Sequence, residues 1–159
     1  DFSKITAKLT DYSTYMAEKL SATIHFIHAV TYVTGDAMIG APFAVEYESR
    51  MLADAQTKMS NLLEDYREKA PGCTGDVVVG DPVDTIVNTA KEKEADLIIM
   101  GSNGVGIFVG TILGSVSEMV LKTALCPVLI VKDTDTKNKL RANSIEGYYE
   151  KLKEKQAGQ

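Results

Sequence analysis

Apolar residues recur at spacings of three and four between Ser3 and Leu20, where Ile5, Leu9, Tyr12, Met16 and Leu20 share one side. That period predicts an amphipathic helix with Ser3 as its N-cap. Thr23 to Val30 (TIHFIHAV) is short and rich in β-branched and aromatic residues, and predicts a strand. Tyr32 to Pro42 carries Gly-Asp and Gly-Ala-Pro and predicts a loop. A helical pattern then runs from Phe43 to Ala70, with Tyr47, Met51, Ala55, Met59, Leu62 and Tyr66 on one face, until Pro71-Gly72 ends it. Asp76 to Val79 predicts the next strand. Asp81 and Pro82 then open a helix as N-cap and first residue, with Ile86, Val87 and Ala90 inward. Ala95 to Met100 (ADLIIM) is a continuous apolar run, the pattern of a strand buried on both faces. Ser115-Val-Ser-Glu118 reads as a capping box opening a helix to about Ala124, and Cys126 to Lys132 (CPVLIVK) is the last strand.

Strands alternating with helices imply an α/β domain, a parallel sheet covered by helices on both faces. The tail from Asp133 to Gln159 differs: it is polar and Lys-rich, with one helical stretch around Ile145 to Lys155. Tyr148, Tyr149 and Leu152 give that tail a means of docking on the body or on a partner. At 159 residues the chain has the size of one domain, which buries roughly 70% of its unfolded surface.

Composition removes several function classes. A net charge of −5 argues against a nucleic-acid binder, which normally shows a basic footprint. The longest apolar stretch, Gly104 to Gly114, falls far short of the roughly 20 residues that span a bilayer. Cys73 and Cys126 form neither a disulfide framework nor a spaced metal site, and His25 and His28 have no cysteine cluster near them. The cytoplasm is the default compartment.

Candidate chemistry concentrates in Gly101 to Ser115, GSNGVGIFVGTILGS, which holds five of the chain's 12 glycines. A phosphate-binding loop of the G-x-x-x-x-G-K-[ST] type is excluded, because no Lys or Arg occurs between Lys93 and Lys122. Gly104, Gly106 and Gly110 miss the dinucleotide spacing by one residue. Position nevertheless favours a ligand. Gly101 directly follows a buried strand, and in open α/β sheets ligands bind beyond the strands' carboxyl ends. Gly101 and Gly104 let backbone N–H groups approach an anion, and the helix after Gly114 offers unpaired donors and the positive end of its dipole. A second reading stands beside it: Ser115 as a simple N-cap in an apolar turn that only packs.

The spacing Gly101-x2-Gly104-x9-Gly114-Ser115 resembles the nucleotide signature of the universal stress protein family. Five further landmarks resemble that family in order: Asp1-Phe2-Ser3, Ile24 to Val30, Val77 to Pro82, Ala95 to Gly101 and Cys126 to Val131. The resemblance covers Asp1 to Lys132 and leaves the tail 133–159 outside.

It implies a single-domain, doubly wound, Rossmann-like fold with a five-stranded parallel sheet in family order 3-2-1-4-5. Homodimers would pair through the last strand, Pro127 to Lys132. ATP, carrying Mg²⁺ on its phosphates, would bind between strand ends. Gly101, Gly104, Gly114 and Ser115 would hold phosphates and ribose. Asp1 would lie beside the ribose and adenine, the Ala29 backbone would meet adenine, and Met100 and Val116 would flank the site. Asp-Phe-Ser stands where the family's central first strand ends, so about seven apolar, β-branched residues are expected ahead of Asp1.

The departure from the family is the uncharged stretch Val105 to Leu113, where members often carry Lys or Arg. Triphosphate charge would therefore rest on backbone donors, the helix dipole and Mg²⁺. Ile107, Phe108, Val109, Ile112 and Leu113 would form either a partner surface or an internal packing face.

The resemblance implies a stress-linked, ATP-binding sensor or regulator, not an enzyme, with any hydrolysis slow. His28 has no nucleophile paired with it in the sequence and reads as structural. Two alternatives remain: a nucleotide-independent interaction module of the same fold, and a related ATP-consuming enzyme. The second class carries S-G-G-x-D-S or H-x-G-H motifs, which are absent.

Overall fold

The computed structural model describes Phe2 and residues 5–31, 42–102 and 113–132, with 42–45 described for backbone alone. Its elements are α1 (Thr6–Leu20), β1 (His25–Val30), α2 (Pro42–Tyr66), β2 (Thr74–Val79), α3 (Pro82–Glu92), β3 (Ile98–Gly101), α4 (Ser115–Thr123) and β4 (Val128–Val131). The predicted loop 32–41, the middle of the glycine stretch and the tail lie outside the described residues.

All described strand pairing is parallel, as alternation of helix and strand requires. β1 pairs with β2 in the register His25–Thr74 to Val30–Val79. β3 pairs with β4 from Ile98–Val128 to Gly101–Val131. The described residues form two two-stranded sheets and not one continuous sheet. β1 and β3, both among the described residues, are not paired with each other.

Both sheets run in the same direction. Lys93, just ahead of β3, lies 3.7 Å from Asp76 of β2, and Asp76 lies 3.2 Å from His25 at the start of β1. At the opposite end, Lys8 of α1 donates to the carbonyl of Lys132, just past β4, at 2.7 Å. The strands' carboxyl ends therefore share one edge of the molecule.

The predicted helices and strands are present with shifted limits. α1 begins at Thr6 with Ile5 as its cap residue and no side-chain cap bond. Ile5 is buried and its carbonyl accepts from Leu9 N–H at 2.8 Å, whereas Ser3, the expected cap, lies outside the described residues. Asp81 caps α3 as expected, accepting from Val83 and Asp84 N–H at 2.8 and 3.1 Å. On α2, Ala55 and Met59 are buried, whereas Tyr47 and Met51 on the same predicted stripe are exposed. β3 is shorter than its apolar run, and only Ile98 within it is fully buried, because one of its edges has no partner strand among the described residues. The core gathers Ile5, Val30, Met59, Ile98, Val120 and Val131. Val120 is wholly buried and anchors α4, a contribution of about 1.5–3 kcal/mol for a side chain of this kind.

Candidate nucleotide site

At the shared carboxyl edge, the end of β3 and the start of α4 are tied by two hydrogen bonds. Gly114 N–H donates to the carbonyl of Ser102 at 2.7 Å. The Ser117 hydroxyl donates to the carbonyl of Gly101 at 2.8 Å. Ser102 and Ser117 are both buried, so this polar pair is shielded from water and strengthened accordingly. Whatever path the intervening residues take, both ends of the glycine stretch are fixed against one another.

The opening of α4 corrects the capping-box reading. Gly114, not Ser115, is the N-cap, in extended backbone (φ −74°, ψ 157°) and with no side-chain cap bond. Glu118 does not reach back to the helix start. Its carboxylate takes the Lys122 ammonium at 2.6 Å, and that hydrogen bond and charge hold its pKa below the ordinary value. Among the described residues the first-turn N–H groups of α4 meet no capping side chain, and they carry the positive end of the helix dipole. Such a terminus has the chemistry of an anion cradle.

Of the residues expected at the site, Met100 and Gly101 sit on the last two positions of β3, and Gly114, Ser115 and Val116 at the start of α4. The structure brings these five together through the Ser102 and Ser117 bonds. Ser115 is exposed, while Met100, Gly101, Gly114 and Val116 are half-buried. Ala29 lies at the same edge near the end of β1, in the other sheet. Asp1 and Gly104 lie outside the described residues.

His28, beside Ala29, faces the Phe2 ring at 4.6 Å between centroids, with the planes tilted by 41°. Burial, reinforced by the positive charges of the chain's amino terminus and then of Lys58, lowers its pKa to about 4. The ring is therefore neutral at pH 7 and packs, as its position in the sequence suggested. His25, on the opposite face of the strand, holds Thr74 Oγ1 at 2.8 Å through Nδ1. Its pKa is lowered by burial despite the opposing pull of Asp76.

Ser102, Ser117 and the Phe2–His28 pair were not singled out from the sequence. Serines 15 residues apart carry no local period that links them. Only the topology, a strand followed by a helix turning back at its end, does so.

The profile of the universal stress protein family matches residues 1–132. The chain belongs to the universal stress protein family. A universal stress protein from Bacillus subtilis, YxiE, is 31% identical over 139 residues, 83% of this chain and 94% of that protein. The solved structure of MJ0577 is similar at 27% identity with a TM-score of 0.71, spanning 86% of this chain and 93% of that one. MJ0577 is a universal stress protein of Methanocaldococcus jannaschii. A further universal stress protein, solved in complex with cAMP, is 27% identical with a TM-score of 0.54, over 84% of this chain and 92% of that one. These likenesses establish a Rossmann-like α/β fold of the universal stress protein kind.

Among the described residues no group of three His, Cys, Asp or Glu side chains is placed to hold a metal ion. No described helix is long and apolar enough to cross a membrane. Cys73 and Cys126 are free thiols.

Proposed function

We propose that this universal stress protein binds ATP at the carboxyl edge of its strands and acts as a sensor or regulator. The observation that carries the reading is the start of α4. Its N-cap is a glycine without a side-chain cap, and it is pinned to the end of β3 through Ser102 and Ser117. Gly101, Gly114 and Ser115 would hold the phosphates and ribose through backbone donors and the Ser115 hydroxyl, with Gly104 completing the set. Met100 and Val116 would flank the ligand, Ala29 would meet adenine through its backbone, and Asp1 would lie by the ribose. Mg²⁺ would ride on the phosphates and neutralise charge that no Lys or Arg between Lys93 and Lys122 can meet. A similar universal stress protein that holds cAMP supports an adenine nucleotide as the ligand class.

Nucleotide would act by shifting the balance of loop and subunit states, in the cytoplasm, with hydrolysis slow at most. Among the described residues β4 pairs with β3 on one side only, which suits a homodimer formed through Pro127 to Lys132. A second reading, an interaction module that needs no nucleotide, is favoured by the exposed apolar residues Met119 and Leu121 of α4 and Leu125 just after it.

Chromatography of nucleotide released by denaturing freshly purified protein tests the proposal. Adenine nucleotide in near-equimolar amount supports it. No released nucleotide, together with no thermal shift on adding Mg-ATP, would leave the module reading in its place.

A further inference from the structure

His25 and Thr74 are the first residues of β1 and β2, at the edge of the sheet opposite the candidate nucleotide site. Register sets them side by side, and Asp76, two residues beyond Thr74 on β2, shares the same face. His25 Nδ1 lies 2.8 Å from Thr74 Oγ1, and His25 Nε2 lies 3.2 Å from Asp76 Oδ2. Lys93, at the end of α3, brings its ammonium to 3.7 Å from the same Asp76 oxygen. Its backbone is held there by its N–H, which donates to the Thr89 carbonyl at 2.9 Å.

The carboxylate decides where the ring proton sits. A neutral imidazole has one N–H and one bare nitrogen. With the proton on Nδ1, the Nε2 lone pair would face the Asp76 oxygen, setting two acceptors 3.2 Å apart. With the proton on Nε2, the N–H meets the negative charge and Nδ1 accepts the Thr74 O–H. The second arrangement has the lower energy. The Nε2–Asp76 contact is close but off the line of an ideal hydrogen bond, so the carboxylate acts mainly through its charge.

A hydroxyl on the bare nitrogen of a ring whose other nitrogen faces a carboxylate is the arrangement of an activated nucleophile. Burial lowers the His25 pKa; Asp76 opposes that and Lys93 adds to it, so at pH 7 the ring is neutral and can take a proton. The His25 side chain is shielded, 18% exposed, whereas Thr74 stands at the surface. A donor can therefore reach the hydroxyl from solvent while the base stays behind it. An ion pair between Lys93 and Asp76 alone would tie α3 to the sheet without engaging either ring nitrogen.

We propose that Thr74 is a reactive hydroxyl, with His25 as its base and Asp76 as a positioning residue, that takes the acyl group of a small acyl phosphate. Thr74 Oγ forms a bond to the acyl carbon, and the bond from that carbon to the phosphate oxygen breaks with its electron pair. The hydroxyl proton passes to His25 Nδ1 and on to the departing phosphate. Lys93 selects the donor, because its ammonium meets the phosphate charge that a neutral ester lacks. The product is an ester on Thr74, formed without nucleotide.

The test incubates the protein with acetyl phosphate and locates the acetyl group by peptide fragmentation. Thr74 should carry it as a hydroxylamine-labile ester. Thr74→Val, which keeps the side-chain shape, should abolish the label at an unchanged melting temperature, and Thr74→Ser should retain it. His25→Gln should slow labelling at least about hundredfold, as loss of a general base does. Asp76→Asn should slow it at least about tenfold. The same variant should move the acid limb of the rate–pH profile to lower pH, because the upward pull of the carboxylate on His25 is gone while Lys93 remains. Lys93→Gln should slow acetyl phosphate at least about tenfold more than the neutral ester p-nitrophenyl acetate. No label on Thr74, label on Cys73 or Lys93 in its place, or labelling unchanged in His25→Gln overturns the reactive hydroxyl. An unmoved profile in Asp76→Asn overturns the positioning role. Equal slowing of both donors in Lys93→Gln overturns the choice of acyl phosphate.

Discussion

The Ser117 hydroxyl donates to the Gly101 carbonyl at 2.8 Å, joining the first turn of α4 to the last residue of β3. Ser117 is 4% exposed, so its loss leaves a shielded carbonyl without this donor. Ser117→Ala is expected to destabilise the protein by about 1–2 kcal/mol and to weaken Mg-ATP binding, because it frees the two halves of the cradle. Urea denaturation and titration calorimetry on the same variant check both parts. A stability loss with unchanged affinity would show that the bond serves the fold alone.

Gly114→Asp separates helix stability from anion binding. The backbone at Gly114 is extended and open to any residue, and Asp is a better N-cap than Gly by a few tenths of a kcal/mol. Its carboxylate would occupy the first-turn donors and repel phosphate. The melting temperature should hold or rise while Mg-ATP affinity falls at least about tenfold. A parallel fall in both would indicate local unfolding.

Stability should decline in acid through His28. Its folded pKa, about 4, lies below the ordinary 6.5, so the unfolded chain binds the proton first. The contribution is complete above pH 6.5 and is lost as pH falls toward 4. His25, also lowered by burial, acts in the same sense. His28→Gln should flatten the dependence of the denaturation midpoint over that window and leave the His25 part. A slope unchanged by the substitution would contradict the assignment.

Gly75→Ala tests packing away from the site. A Cβ at Gly75 would stand 2.5 Å from the Met59 Sδ and 3.3 Å from the Phe26 Cβ, and Met59 is buried. A destabilisation of about 1–3 kcal/mol is expected, with partial recovery in Gly75→Ala/Met59→Val, where the shortened side chain makes room. Nucleotide affinity should not change.

Much of the fold was legible because its signals are local. The Asp81-Pro82 start of α3, the β-branched run of β1 and the apolar run ending in β3 each lie within a few residues. Limits of elements were less legible: Gly114 took the cap of α4 from Ser115, while Ser3, the expected cap of α1, lies outside the described residues. Ser102 and Ser117 join the site through topology, which no spacing announces. The split into two sheets follows from how strands meet across the chain, and period alone does not contain it. Gly104, Asp1 and the apolar residues Ile107, Phe108, Val109 and Ile112 lie outside the described residues, whereas Leu113 is half-buried just ahead of α4.

Titration of the protein with Mg-ATP, in parallel with Gly114→Asp, bears most directly on the claim that the uncapped start of α4 is a phosphate cradle. Binding of one nucleotide per chain by the wild type, lost or at least about tenfold weaker in a variant of undiminished stability, is the predicted result. Equal binding by both proteins, or none by either when released-nucleotide analysis also finds no adenine, would contradict it.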